Sequence, residues 1–218
     1  MNHKSTQSKS IREHAENLRK AVLAGICIGI GATVYLSCSN KYIGSFLFGI
    51  GLFLICTSQF NLFTGKIGYA VKKRKQLKLP YYIEIWFGNL IGCAVTVLPL
   101  RIAKPELTAA SEALVNVKLS QTLPQMIILG MMCGVMMFIA VSTYQRAEHP
   151  LFKSIGIFLP VMIFILCGFE HSIADMCYML FATSPDLTQI TKAVFYIIII
   201  SLSNAAGSIL FCALKGDK

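Results

Sequence analysis

Two long apolar stretches of this sequence are each interrupted near their middle by a short polar segment that contains glycine. The first interruption covers residues 61–66 (Asn-Leu-Phe-Thr-Gly-Lys) and the second covers residues 168–172 (Gly-Phe-Glu-His-Ser). In a bilayer an unpaired backbone N–H or C=O group costs several kcal/mol, so such a break is tolerated only where protein covers it or where it lines a wet cavity. Two breaks at matching places of two half-chains therefore indicate a transport site.

The composition identifies an integral membrane protein, since 55% of the residues are hydrophobic and only 14% are charged. Windows of about 19 residues predict an all-α fold with six transmembrane helices, of which the second and fifth are broken. The predicted spans are 21–38, 43–70, 81–100, 124–143, 152–180 and 192–213. They form one channel domain at 21–213, between an N-terminal segment at 1–20 and a tail at 214–218.

The Lys and Arg residues that give the net charge of +10 lie mainly in the loops between spans and do not indicate a nucleic-acid-binding surface. Fourteen Lys and Arg residues lie before span one, between spans two and three, between spans four and five, and after span six, against five in the other connections. The positive-inside rule then predicts a multi-pass protein of the cell (inner) membrane with both termini in the cytoplasm. No nucleic-acid partner is expected.

Two polar segments are expected to be helical outside the spans. Ser10 and Glu13 form a capping-box pattern that predicts an amphipathic helix to about Lys20, either lying at the membrane interface or covering a cytoplasmic entrance. Residues 101–123 form the longest connection, either a solvated loop or one with a short amphipathic helix at 108–118. In the second case Lys118 lies at a depth where a cation is costly unless it is functional.

The two halves of the chain resemble each other. Small-x-x-x-small patterns, which let helix backbones approach closely, occur in spans one, three, four and six, at Gly25/Gly29, Gly88/Gly92, Gly130/Gly134 and Ser203/Gly207. Asn89 and Asn204 each lie three residues before a Gly. The distance from Gly29 to Thr64 is also close to that from Gly134 to His171, so the spacing matches Thr64 with His171. Because each unit has three spans, the two must insert with opposite topology, as an inverted repeat.

The breaks carry the candidate site residues. Helix ends directed at the centre favour an anion. His171, the only histidine within a span, is suited either to titrate or to donate a hydrogen bond to a passing anion, and Thr64 on the other break offers a hydroxyl. Glu170 is expected to tie its break to nearby backbone N–H groups. The eight cysteines show no metal-site spacing, no nucleophile-and-base set appears, and neither a cofactor nor an enzymatic activity is predicted.

Several of these segments together resemble the formate/nitrite transporter family. They are residues 62–65 (Leu-Phe-Thr-Gly), 87–89 (Phe-Gly-Asn), 159–161 (Leu-Pro-Val) followed by Phe164, and 168–174 (Gly-Phe-Glu-His-Ser-Ile-Ala). The resemblance implies an aquaporin-like protomer of six helices in a homopentamer with one pore per protomer. It also implies that the pores pass formate, nitrite or hydrosulfide.

The resemblance assigns roles to individual residues. It places the family's break threonine at Thr64, its central histidine at His171, its vestibule lysine at Lys118 and its span-six asparagine at Asn204. Its pore-narrowing apolar residues fall on Phe48, Leu52, Leu62 and Phe63 toward the cytoplasm and on Phe164 toward the outside.

Four positions depart from the family pattern: Asn61 replaces an acid, Lys66 and Asp175 each replace an asparagine, and Gly134 stands where formate channels have asparagine. Lys66 either makes the cytoplasmic approach more attractive to anions or pairs with Asp175.

The expected function is proton-assisted passage of small weak-acid anions past His171, with protons and lipid as the other partners. Alternatives are an aquaporin-like pore for neutral solutes, although the paired Asn-Pro-Ala boxes are absent, and a structural protein with a sealed pore.

Overall fold

The computed structural model describes residues 2–70, 79–182 and 186–216, with side chains from residue 11 onward. The predicted basic connection at 71–78 and Lys218 lie outside these ranges. All regular structure within them is helical. The helices are α1 (Asn2–Ser37), α2 (Lys41–Thr57), α3 (Phe63–Lys66) followed by a 3₁₀ turn (Ile67–Ala70), α4 (Leu79–Ala103), α5 (Glu106–Leu119), α6 (Leu123–Arg146), α7 (Pro150–Leu166), α8 (Ser172–Phe181) and α9 (Leu187–Leu214).

Four of these helices, α1, α4, α6 and α9, are long and apolar enough to cross a membrane. The second and fifth predicted spans each consist of a longer helix, α2 or α7, and a shorter one, α3 or α8. The non-helical residues are 58–62 in the first break and 167–171 in the second. The sequence placed the first break at 61–66, but residues 63–66 form α3, and Ser172 at the end of the second predicted break is the first residue of α8.

The N-terminal helix differs from the expectation. It begins at Asn2 and runs without interruption to Ser37, so Ser10 lies inside a helix and not at its start. The side chain of His14 reaches α4, where Nδ1 lies 3.0 Å from Oε2 of Glu84. The polar first segment and the first span are therefore one helix. The predicted boundary near Lys20 is only a change of side-chain polarity.

The long connection between the two halves contains a helix, as one of the two sequence interpretations expected. Helix α5 covers Glu106–Leu119 and packs against α8, where Ser111 Oγ donates a hydrogen bond of 2.7 Å to the carbonyl oxygen of Tyr178. This contact brings Lys118, in the last turn of α5, toward the second break.

Glycines let the long helices of each half approach closely. A Cβ at Gly92 of α4 would lie 2.0 Å from the carbonyl oxygen of Val22 in α1, and a Cβ at Gly207 of α9 would lie 2.0 Å from that of Met131 in α6. No side chain fits at such distances. The α1–α4 and α6–α9 pairs therefore cross at equivalent points, as the small-x-x-x-small patterns predicted.

The outer surface of the long helices is apolar. Side chains on α4 and α9 that point away from the bundle are substantially exposed, among them Ile91 (47%), Val95 (56%), Ile198 (46%) and Leu202 (64%). A water-soluble protein of this size exposes few contiguous apolar faces of that kind. The surface suits contact with lipid or with other subunits.

Candidate functional site

Both interrupted runs end their first helix in the same way. The chain turns at Gln59 after α2, with φ of 55°, and at Gly168 after α7, with φ of 66°. Two backbone hydrogen bonds close each turn. In the first turn, the N–H of Gln59 donates to the carbonyl oxygen of Cys56 (3.4 Å) and that of Phe60 donates to Ile55 (2.9 Å). In the second turn, the N–H of Gly168 donates to the carbonyl oxygen of Ile165 (3.1 Å) and that of Phe169 donates to Phe164 (2.9 Å). This is the Schellman arrangement, which satisfies carbonyl groups that a helix end otherwise leaves unpaired.

A buried asparagine supports the second part of the first break. Asn89 of α4 accepts a hydrogen bond from the N–H of Phe63 (2.9 Å) and donates to the carbonyl oxygens of Asn61 (2.9 Å) and Ala21 (2.8 Å). All three partners are backbone atoms. Asn89 therefore fixes the start of α3 against both α1 and α4.

Asn204 of α9 does the same for the second break. It accepts from the N–H of Ser172 (2.9 Å) and donates to the carbonyl oxygens of Glu170 (2.7 Å) and Gly130 (2.8 Å). Both donors of the amide and one acceptor position are thus used by the backbone. The resemblance assigns Asn204 to the substrate pathway, but its contacts in this structure hold the backbone of the second break.

The shared hydrogen bonds define which residues of the two halves correspond. Since Asn61 and Glu170 occupy equivalent positions, Leu62 is the counterpart of His171, and the sequence match of Thr64 with His171 is two residues out of register. Gly25 and not Gly29 is the counterpart of Gly134. The distance from Gly25 to Leu62 is then 37 residues, equal to that from Gly134 to His171.

The structure brings Thr64 and His171 together. Thr64 Oγ1 lies 2.8 Å from His171 Nε2, and His171 Nδ1 accepts a hydrogen bond of 3.1 Å from the N–H of Ala174. Because Nδ1 is an acceptor, the proton of the neutral ring is on Nε2, which donates to Thr64 Oγ1. The hydroxyl hydrogen of Thr64 is then turned away from the ring and is available to another acceptor. Both residues are about 1% exposed.

Two phenylalanines lie beside the histidine. Phe164 stacks on the His171 ring with centroids 5.6 Å apart, and Phe48 contacts Phe164 edge to face at 6.1 Å. The sequence grouped Phe48 with the cytoplasmic residues Leu52 and Leu62, whereas its ring contact is with Phe164. The histidine therefore has an apolar wall on one side.

Leu52 and Leu62 line a cavity of about 290 Å³ on another side of the site, between α2, α3 and α6. Its polar lining includes Lys66, Tyr144 and Gln145. Phe63, the fourth residue of the predicted narrowing, is also buried. The cavity lining therefore combines polar and apolar side chains.

A cluster of buried charged side chains lies on the α5 side of the second break. Lys118 Nζ contacts Oε2 of Glu170 and lies 2.9 Å from Oδ1 of Asp175, and it also lies 5.6 Å from the centre of the Tyr178 ring. Gln121 Nε2 donates to Oε1 of Glu170 at 2.6 Å. The side chains of Lys118, Glu170 and Asp175 are 13%, 4% and 1% exposed. One cation therefore faces two carboxylates.

Two sequence interpretations change as a result. Glu170 ties its break to the side chains of Lys118 and Gln121, and not to backbone N–H groups as expected. The structure also pairs Asp175 with Lys118 instead of Lys66. Lys118, expected as a vestibule lysine near the pore, contacts the carboxylates of Glu170 and Asp175 instead of standing alone.

Sequence reasoning left out some residues of this region. Asn89 carried a usable signal, because it shares with Asn204 the position three residues before a Gly, yet it was not placed among the site residues. Asp175 was noticed only as a departure. Ser172 was noticed only as part of the second break and of the family pattern. Gln121 carried no signal, since its role depends on a contact with Glu170 of the second break that spacing does not reveal.

Comparisons with known proteins agree with this architecture. A family model described as formate/nitrite transporter matches residues 3–215. The formate channel FocA of Escherichia coli (strain K12) is 27% identical over 190 residues, covering 77% of this chain and 66% of the relative. The nitrite transporter NirC of the same strain is 28% identical over 184 residues, covering 75% and 66%. This chain thus spans just under two thirds of the length of those relatives.

A solved structure supports the fold. The structure described as a pentameric formate channel with formate bound superposes with a TM-score of 0.77 at 24% identity, covering 94% of this chain and 96% of that one. The overall helical fold is therefore one that occurs among solved protein structures. With several apolar helices, the chain is a multi-pass membrane protein.

Proposed function

The chain belongs to the formate/nitrite transporter family, whose model matches residues 3–215, and from this premise we propose that it is a channel for small monovalent weak-acid anions. Formate and nitrite are named for its relatives FocA and NirC. Hydrosulfide is included on the sequence resemblance. The proposal concerns transport and not chemical conversion, since members of the family are channels or transporters and not enzymes.

The proposed topology has six spans. The four long helices α1, α4, α6 and α9 each cross the membrane, and α2–α3 and α7–α8 each cross as a broken pair. Equivalent hydrogen bonds from Asn89 and Asn204 support an inverted repeat of aquaporin-like type. The distribution of basic residues places both termini in the cytoplasm. A homopentamer is proposed because the similar solved channel is described as pentameric, and the exposed apolar faces of α4 and α9 suit such contacts.

The observation that carries the proposal is the hydrogen bond between Thr64 and His171, which joins the two breaks at the point where two half-helices begin. An anion passing this point is offered the Thr64 hydroxyl hydrogen and the partial positive charge of the α8 N-terminus. It approaches through the cavity lined by Lys66. The narrow sections are formed by Leu52, Leu62 and Phe63 on one side and by Phe48 and Phe164 on the other.

The apolar sections explain why the substrates are weak acids. A bare anion between such side chains loses hydration worth several kcal/mol or more, whereas the neutral acid does not. His171 is poorly arranged to supply the proton itself, because a neutral ring that gave up its Nε2 proton would become an imidazolate. We therefore assign Thr64, whose hydroxyl is oriented by His171, to hydrogen bonding of the anion, with the proton arriving from another group or from water.

The test is uptake of formate, nitrite and hydrosulfide into proteoliposomes at two external pH values, with His171→Phe alongside. We expect one or more anions to enter faster at acid pH and His171→Phe to slow entry about tenfold or more, the loss expected for about 1.4 kcal/mol. Passage of water or glycerol without any anion would overturn the proposal, as would normal uptake by His171→Phe at equal protein content.

A further inference from the structure

The cluster of Lys118, Glu170 and Asp175 carries a surplus negative charge if both carboxyl groups are ionised. One cation faces two carboxylates, and all three side chains are largely removed from water. An uncompensated charge in such surroundings is costly. Binding of one proton to the cluster makes it neutral.

The hydrogen bonds indicate where that proton resides. Both oxygens of Glu170 already accept, Oε2 from Lys118 and Oε1 from Gln121. Asp175 uses Oδ1 for Lys118, whereas its Oδ2 has no partner among the described residues and is fully buried. Ser172 Oγ is likewise unpartnered in the described part of the chain. Ser172 precedes Asp175 by three residues, so the two share one face of α8.

The position of Asp175 links it to the anion pathway. Its N–H donates to the carbonyl oxygen of His171 at 2.9 Å, so Asp175 lies one helical turn beyond the histidine in α8. An asparagine at this position would pair with Lys118 through its oxygen but would not carry an exchangeable acid proton. The carboxyl group is a feature of this sequence that the family resemblance does not supply.

We propose that Asp175 is the proton-binding group of the channel: Oδ2 holds a proton that is passed to the anion on its way through the pore. The proposal rests on the proposed function for the identity of the acceptor. In the step, the O–H bond of the carboxyl group breaks and an O–H or S–H bond of the weak acid forms. The Asp175 carboxylate then regains a proton from water. One proton crosses with each anion, so no net charge moves.

Several other titratable groups surround Asp175. They are Lys118 from α5, Glu170 from the second break, Cys133 from α6, Tyr196 from α9, and Cys177 and Tyr178 on α8 itself. Lys118 and Glu170 are the two charged members. The proton balance of the site is therefore governed by these two partners, and replacing Glu170 must change the occupancy at Asp175.

The first experiment detects the proton without requiring transport. Infrared difference spectra between acid and alkaline pH are recorded for the protein in lipid, and the C=O band of a protonated carboxyl group is followed. Aspartate labelled with ¹³C at the carboxyl carbon shifts the band if the proton is on an aspartate, of which the chain has three. We expect a band that shifts with the label, disappears in Asp175→Asn and persists in Asp186→Asn, a matched change at the start of α9.

Glu170→Gln provides an internal check. Removing this carboxylate leaves Lys118 and Asp175 as a balanced pair, so Asp175 stays ionised and the band is lost although the aspartate is present. A band that ignores the aspartate label, survives in Asp175→Asn or remains in Glu170→Gln would overturn the proposal.

The second experiment measures anion uptake by the same variants at two external pH values. We expect the ratio of acid to neutral uptake to fall to about one in Asp175→Asn and to stay unchanged in Asp186→Asn. An undiminished ratio in Asp175→Asn would overturn the proposed proton step. If the band is assigned to Asp175 and no anion moves, the proposed function fails while the proton site stands. If anions move and the band is absent, the proposed function stands and the proton site at Asp175 fails.

Discussion

Thr64 and His171 come from opposite halves of the chain and share one buried hydrogen bond of 2.8 Å. Their neighbours decide its direction, since the N–H of Ala174 occupies Nδ1 and leaves Nε2 as the donor. The threonine hydroxyl is therefore an acceptor toward the ring, and its own hydrogen is left for a second acceptor, which we propose is the anion. A side chain at position 64 must do both.

This dual role predicts different outcomes for two small changes. In Thr64→Val the Nε2–H of His171 has no acceptor, and leaving such a buried donor unpaired costs about 1–3 kcal/mol. We expect a lower thermal unfolding midpoint and a fall of uptake of about tenfold or more. Thr64→Ser keeps the hydroxyl and serves as the control. Equal uptake by the valine and serine variants would show that the hydroxyl is not used.

The sequence predicted these two residues but not how they are connected. An ionisable ring and a hydroxyl in mid-membrane breaks are visible in a single chain, because they are rare there. The partner of Asp175 is not visible, since Lys118 lies on a different helix and the pairing depends on how α5 packs on α8. A choice between Lys66 and Lys118 needed that tertiary contact.

At the scale of helices, the two interrupted runs use the same turn with different residues. Gln59 has φ of 55° where its counterpart Gly168 has φ of 66°. Glycine adopts this conformation readily, while other residues pay for it. The two halves therefore carry the same turn at different conformational cost.

Exchanging the residue types tests this difference. Gly168→Ala is expected to lower the free energy of unfolding by about 1–2 kcal/mol through backbone strain. Steric clash does not contribute, because an added Cβ would meet nothing within 4 Å. Gln59→Gly is expected to leave stability unchanged or to raise it slightly. Unfolding of both variants in lipid or detergent by denaturant makes the comparison, and a similar loss in the two would contradict the assigned conformations.

Hydrophobicity predicted the limits of the helices better within the spans than at the N-terminus. Helices α4 and α6 begin and end close to the predicted limits of 81–100 and 124–143, whereas α9 begins at Leu187 and not at the predicted residue 192. Helix α1 extends back to Asn2 because its first turns, which are polar, continue a helix that the span has already nucleated. The change of polarity near Lys20 therefore does not mark the start of the helix.

At the scale of the whole molecule, the number of spans fixes which side each connection faces. Counting only the four long helices would place the α4–α5 connection on the same side as the N-terminus. Counting the two broken pairs as spans as well places it on the opposite side. The topology therefore depends on whether α2–α3 and α7–α8 cross.

A reporter experiment distinguishes the two counts. We expect a reporter that is active only in the cytoplasm to work when fused after Gly216 and to fail when inserted at Lys104, between α4 and α5. A reporter active only outside should give the opposite pattern. Cytoplasmic activity at both sites would rule out six spans, and expression of each fusion is checked by immunoblot.

The overall architecture was more predictable than its internal register. Repeated small residues and two breaks predicted interrupted apolar runs and close helix pairs, and the α1–α4 and α6–α9 contacts agree with this. These patterns did not match Leu62 with His171, since spacing alone does not choose between Gly25 and Gly29. The contacts select Gly25, because an added Cβ there would lie 2.1 Å from the carbonyl oxygen of Asn89, as one at Gly134 would lie 2.2 Å from that of Asn204.

The matching hydrogen bonds of the two breaks fix the backbone without depending on the side chains that the breaks carry. Asn89 and Asn204 bind backbone atoms only, so they hold the same turns whatever side chains the breaks carry. At equivalent backbone positions, the first break carries Leu62 and the second carries His171. A substitution at Leu62 or His171 therefore changes the side chain at this point, while the backbone hydrogen bonds made by Asn89 and Asn204 are kept.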